Sequence, residues 1–185
     1  MVIRRVEGII LGNYQSGEND RVVLLLSAGE GKVKILARGV RKINSRRLGN
    51  LETGNLVKAT LRRGHSLDGL GEVETIDHFQ NSKTNPTQIN TMLLLCELGN
   101  RLLLEGDGSG EIYRLFFKTR QAIKNNQIKQ LLLFENRLLD LIGFGKDENI
   151  DRLIKDEDWQ TAQRQLKDKI EGIIERHLTS PKLFG

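Results

Sequence analysis

The sequence predicts an α+β protein, a small five-stranded β-barrel over residues 1–80 followed by an all-α helical bundle over residues 81–185. Two observations carry this. Apolar residues alternate with a period of two in the first part and recur with a helical period in the second. Gly, Asn and Ser break the first part into five strand-length pieces, and several short strands in about 80 residues favour a closed or partly closed barrel.

Val6 to Leu11 is the first predicted strand, and Asn13 to Asp20 reads as a polar turn. Arg21 to Ser27 is a continuous apolar run, as expected of a strand buried on both faces. The turn Ala28-Gly29-Glu30-Gly31 leads into a third strand, Lys32 to Arg38. Here Val33, Ile35 and Ala37 point one way and Lys32, Lys34 and Arg38 the other, because successive side chains on a strand alternate faces. Only Leu36 breaks the pattern. Asn55 to Arg63 alternates again, with Lys58, Thr60 and Arg62 outward, and Leu70 to Phe79 is the fifth strand.

Asn81 to Thr87 is polar, contains Pro86 and reads as a linker. A helix capped by Asn85 or Thr87 follows, running to about Leu104, apolar enough to be central in a bundle. Its stripe is Ile89, Met92, Leu93, Cys96 and Leu103, with Leu94, Leu95, Leu98 and Leu102 beside it. Glu105 to Gly110 reads as a flexible connector. Further helices are predicted over 111–124, 127–142 and 149–155, with Gly143-Phe144-Gly145 stopping the second of these. The last helix, 156–178, opens on an acidic stretch that suits its dipole.

The net charge of +5 is unevenly placed. Residues 30–65 hold ten Lys/Arg against two Asp/Glu, whereas residues 81–185 hold 16 against 15. A basic segment of this kind is the footprint of a polyanion partner. Lys32, Lys34 and Arg38 on a sheet face, continued by Arg41, Lys42, Arg46 and Arg47 in a loop and joined by Arg62, form a row that follows a phosphate backbone. Aromatic residues are sparse on these strands. Recognition should therefore be by charge and tolerant of sequence, with Tyr14 as the better candidate for base stacking than Tyr113 or Trp159.

No signal peptide or membrane span is evident, and a lone cysteine, Cys96, fits a reducing compartment, so a soluble cytoplasmic protein is expected. His65, His78 and His177 lack metal-motif spacing, and no phosphate-cradling loop occurs. Neither catalytic residues nor a metal site are predicted. Glu135 falls inside the apolar stripe of the third helix. A buried carboxylate is costly unless paired, and Arg137, Arg101 or Arg114 is the expected partner.

The order of several motifs resembles the bacterial recombination mediator family RecO. They are Glu7-Gly8-Ile9-Ile10-Leu11, Gly17-Glu18-Asn19-Asp20-Arg21, Gly31-Lys32 through Arg41 and Ser45, Leu51-Glu52 and Leu70-Gly71-Glu72-Val73. Phe134-Glu135-Asn136-Arg137-Leu138-Leu139 with Gly143-Phe144 resembles the family's FELRLLxxxGY segment, and His177 to Leu183 its closing segment. The resemblance implies an OB-fold barrel and a helical domain for interaction and core support. It implies non-specific binding of single- and double-stranded DNA, annealing of complementary strands, contact with the C-terminal tail of single-strand-binding protein, partnership with RecR, and loading of RecA in DNA repair. Many members insert a four-cysteine zinc module after the Gly-Phe position. This sequence passes from Phe144 into a short acidic segment instead, so no zinc or other cofactor is expected. The alternative is an RNA-binding OB-fold protein associated with the ribosome or tRNA.

Overall fold

A computed structural model describes residues 3–40, 48–80, 84–108, 110–127 and 129–174. Five strands, β1 (Ile3–Ser16), β2 (Asp20–Ser27), β3 (Gly31–Ala37), β4 (Leu56–Arg62) and β5 (Asp68–Asp77), close into a barrel in the order β1-β2-β3-β5-β4. Only the β3–β5 pair is parallel, and it is short, joining Ile35 to Asp68 and Leu36 to Gly69. A 3-10 turn at Gly49–Leu51 lies between β3 and β4. This is the five-stranded Greek-key barrel of the OB fold.

β1 runs on to Ser16, through residues whose sequence reads as a turn. It serves two partners. Ile3 to Ile9 pairs with β4, and Gly8 to Ser16 pairs with β2, with a register shift between Ile10 and Gly12. A bulge of that kind bends a strand, which a small barrel needs to close. The polar residues after it are held by cross-strand bonding, and Asn13 also bonds Leu51 O (2.9 Å) and receives Arg21 (2.5 Å).

Alternation sorts the barrel's side chains. Val6, Ile10, Val23, Leu25, Ile35, Ala37, Val57, Ala59, Leu61 and Leu70 fill its interior. The outward-facing Ile9, Leu24, Leu26 and Leu56, with Leu11 at the bulge, join the apolar faces of the helices in a second core. The barrel's β1–β2 exterior is thus the floor on which the helices sit.

The helices are α1 (Pro86–Leu102), α2 (Glu111–Lys124), α3 (Gln130–Leu141), α4 (Glu148–Lys155) and α5 (Trp159–Ile174). α1 starts at a capping box. The Asn85 side chain accepts from Gln88 N (2.9 Å), and the Gln88 carboxamide accepts from Asn85 N (3.0 Å), with Pro86 at the first helical position as its fixed φ allows. Asp147 caps α4 by accepting from Asn149 N and Ile150 N. α5 begins at Trp159, later than the acidic stretch suggests, with Asp158 accepting from Thr161 N; residues beyond Ile174, including His177, lie outside the described residues. Leu93, assigned to the buried stripe of α1, is 42% exposed. No helix among the described residues is long and apolar enough to cross a membrane.

Glu105 to Gly110, expected to be a flexible connector, is docked on β3. Lys32 N donates to Asp107 O (2.6 Å), Gly106 N donates to Lys32 O (2.9 Å), and Gly110 N donates to Ala28 O (3.3 Å). Because β5 meets β3 only at Ile35 and Leu36, the earlier part of β3 has a bare edge, and this loop covers it. Gly31 (φ +69°) permits the approach: a Cβ there would stand 2.3 Å from Asp107 O and 2.4 Å from Gly106 O.

Candidate nucleic-acid interface

Eight cations were singled out in the sequence, and they separate into three groups. Arg41, Lys42, Arg46 and Arg47 lie outside the described residues. Lys32 does not belong to an open face. It is 6% exposed, and its ammonium donates to Asn100 O (2.5 Å) and Leu103 O (2.7 Å) at the end of α1. Alternation correctly turns Lys32 to the barrel exterior, but that part of the exterior is roofed by the end of α1. There the cation satisfies carbonyls that a helix end leaves without partners. Burial, then the neighbouring Lys34, pushes its ammonium below the usual lysine range.

Lys34, Arg38 and Arg62 remain. Lys34 is half-exposed and stands 3.6 Å from Glu105, a pair screened by solvent. Arg38, just past β3, and Arg62, at the end of β4, are exposed. Leu36 lies between Lys34 and Arg38 on β3, pairs with Gly69 of β5, and Gly69 pairs with Arg62 of β4. Ile35, Leu61 and Leu70 point inward, so Lys34, Leu36, Gly69 and Arg62 point outward, and Arg38 lies in the turn that follows β3. The register therefore places Lys34 and Arg62 near Leu36 on one side of the barrel, with Arg38 in the adjoining turn.

The same outward row continues the other way. Leu36 pairs with Val22, and Val22 pairs with Tyr14, which is 51% exposed. Asp20 accepts Gly39 N (2.7 Å). Asp68 takes Arg4 (2.6 Å), which also holds Glu30 through two hydrogen bonds. On the barrel's opposite exterior, Glu7, Lys58 and Glu74 lie in cross-strand register. Like and unlike charges alternate there, which gives a polyanion no net attraction.

Sequence reasoning missed a second feature. A groove of about 440 Å³ runs between α2, α3 and α4, floored by Leu115, Leu133, Phe134 and Ile154 and rimmed by Lys118, Arg137, Lys146 and Lys155. Arg137 pairs with Glu111 and Asp140, and Lys146 with Asp151. Packing alone brings Lys118 of α2 and Lys155 of α4 to the same rim. Lys129 sits 4.0 Å above the Trp159 ring, a cation–π contact.

Glu135 is 5% exposed, and no described residue bonds its carboxylate. The expected arginine partnership does not form, since Arg101 pairs with Glu97 and Arg137 looks away to Glu111 and Asp140. Burial pushes the Glu135 carboxyl up to about 8. Cys96 is buried against Ile10 O, and burial raises its thiol to about 12, so it stays a protonated, unreactive thiol. Among the described residues, His, Cys, Asp and Glu do not gather into a metal-binding group.

Comparison with known proteins agrees with this architecture. The family model "Recombination protein O N terminal" matches residues 1–79. A protein named DNA repair protein RecO from Clostridium novyi is 31% identical over 148 residues, covering 78% of this chain and 58% of the relative. Its namesake from Clostridium acetobutylicum is 30% identical over 150 residues, covering 78% and 60%, and that from Roseiflexus 28% over 144 residues, covering 77% and 50%. The alignments run past the barrel into the helices, and the chain spans between one half and three fifths of the length of these relatives. Over its N-terminal 79 residues the chain is thus similar to the recombination protein O N-terminal family, and its similarity to these relatives continues beyond them.

Proposed function

We propose that the chain is a DNA-binding mediator of recombination in DNA repair, and that it holds nucleic-acid backbones by charge. The observation that supports this most is the placing of Lys34 and Arg62 about the Leu36–Gly69 pairing on one outward face, with the exposed Arg38 in the turn that follows β3. Arg41, Lys42, Arg46 and Arg47 follow directly in the chain and add to the same basic segment. Phosphate contacts position a strand without reading it, so single and double strands are both ligands. Neutralising two phosphate backbones at once lets complementary strands approach, which is the physical requirement of annealing. The relatives' names support the DNA-repair context. Lys32 is left out of this surface because its ammonium is spent on the end of α1.

The groove between α2, α3 and α4 suits a peptide that is acidic and ends in an apolar side chain, since its floor is apolar and its rim cationic. The C-terminal tail of single-strand-binding protein has that chemistry. Occupying it would bring the mediator to coated strands, with RecR and RecA acting next.

The test is annealing of complementary oligonucleotides coated with single-strand-binding protein. Lys34→Glu, Arg38→Glu and Arg62→Glu combined should abolish DNA binding and annealing with an unchanged melting temperature. Each single change should flatten the dependence of log affinity on log salt by about one unit. Binding that ignores salt, or a preference for structured RNA over DNA at matched salt, would overturn the reading.

A further inference from the structure

We propose that Asn136 of α3 is the positioning residue of the groove between α2, α3 and α4. Its carboxamide sets where α4 stands, and so brings Ile154 and Lys155 to the place where an acidic peptide with an apolar end is held. The inference rests on the peptide-binding reading of that groove above and names the residue on which its shape depends.

α4 does not hold this place by itself. It has 8 residues, and a helix so short needs tertiary support. The connection from α3 passes through Gly143 (φ +94°) and Gly145 (φ +75°), where backbone freedom is greatest. Asn136 closes that freedom from a buried position, being 1% exposed. Its Oδ1 accepts from Asp147 N (3.1 Å), and its Nδ2 donates to Asp147 O (3.0 Å) and to Asp151 Oδ1 (2.8 Å). One carboxamide thus pairs with both backbone groups of Asp147, whose own side chain caps α4.

The bond to Asp151 carries the effect into the groove. Asp151 and Lys155 are one turn apart, hence neighbours on one face of α4, and both line the groove with Ile154. Holding Asp151 therefore fixes the height and rotation of Lys155 against Lys118 on the α2 side. The same bond, with the Lys146 ion pair, engages a carboxylate that would otherwise repel an acidic ligand. α4 has other ties: Ile150 and Ile154 pack in the core, Lys169 stands 3.8 Å from Asp147, and Asn149 bonds Gln165. Apolar packing is non-directional, and the polar pairs are screened by solvent. Asn136 is the buried, directional hold.

The experiment measures the affinity of a short synthetic peptide, rich in aspartate and ending in phenylalanine, beside the same peptide ending in alanine and a single-stranded oligothymidylate. Asn136→Leu should bind the phenylalanine-ended peptide about tenfold more weakly, as when the competent arrangement is populated about one time in ten, and the oligothymidylate as wild type does. Lys155→Ala should weaken peptide binding in wild type and add nothing in Asn136→Leu, where the cation no longer stands at the rim. A second comparison leaves α3 untouched. Asp151→Asn removes the charge and keeps an acceptor for Asn136, whereas Asp151→Ala removes both, so Asp151→Asn should bind the peptide more tightly. Equal peptide affinity of Asn136→Leu and wild type overturns the proposal. So do additive losses from Asn136→Leu and Lys155→Ala, equal peptide affinity of the two Asp151 variants, or a loss on oligothymidylate equal to that on the peptide. Failure of the groove reading shows separately, in wild type, as no preference for the phenylalanine-ended peptide over the alanine-ended one, and takes this proposal with it.

Discussion

Arg120 of α2 is completely buried and ion-pairs with Asp77 at the end of β5 at 2.7 Å, while also bonding Asp77 O (2.8 Å) and Gly54 O (2.6 Å). One guanidinium thus ties the third quarter of the chain to two points of the barrel. Lys124, one turn later, adds a second cation to the same carboxylate at 2.5 Å. Arg120→Met should destabilise the protein by about 3–5 kcal/mol, because it strips buried carbonyls of their donors and leaves part of a charge network unpaired. Chemical denaturation measures this. Lys124→Met should cost much less, being partly exposed.

The same cluster sets an acid response. Burial would raise the Asp77 carboxyl, but hydrogen bonds from Lys124 and Arg120 outweigh it and hold the group below the usual carboxylate range. A depressed carboxyl contributes stability that is present above the unfolded value, near 3.8, and lost as pH falls through the folded one. Melting temperature should therefore drop below about pH 4, and less steeply in Asp77→Asn, which starts lower.

Glu135 behaves oppositely. Its carboxyl is raised from 4.5 to about 8 by burial alone. The folded state then holds a proton that the unfolded chain gives up, so stability is highest below about pH 4.5 and declines as pH rises to about 8. Glu135→Gln should remove this decline and raise stability at pH 8 by a few kcal/mol. Glu135→Leu should do the same, whereas an ion-paired glutamate would make it destabilising. Denaturant midpoints at pH 5 and pH 8 separate the two.

Adjacent outward lysines on β3 should respond differently to substitution. Lys32→Met should lower stability by about 1–3 kcal/mol, since two carbonyls at the end of α1 lose their donor in a buried place. Lys34→Met should leave stability within about 0.5 kcal/mol, as exposed sites do, and weaken DNA binding. Thermal melts beside binding isotherms at fixed salt distinguish them.

Most of the secondary structure was legible because its signals are local. The capping box at Asn85, Pro86 and Gln88 marks the start of α1, and Gly143, at φ +94°, marks the end of α3. The period change near residue 81 marked where strands give way to helices. What sequence could not give was decided by distant partners. Asn13 to Ser16 looks like turn chemistry, yet its pairing with β2 makes it strand. Lys32 and Lys34 are indistinguishable by alternation. Only the end of α1 lying over Lys32 tells them apart. The Gly-rich loop at 105–110 looked loose because glycine permits many conformations, and those same conformations, such as Gly106 at φ +86°, let it fit against β3. Its acidic residues beside a lysine-bearing strand were the one signal that could have revealed the docking.

That docking bears on how the barrel behaves without its helices. Glu105 to Asp107 acts as a short surrogate sixth strand over a slit that β5 is too brief to close. A fragment ending near residue 80 would expose bare amides along Gly31 to Val33, together with the uncovered leucines of β2. Such a fragment should stick to copies of itself. Its binding behaviour would then report on a self-associated species rather than on half of a working molecule.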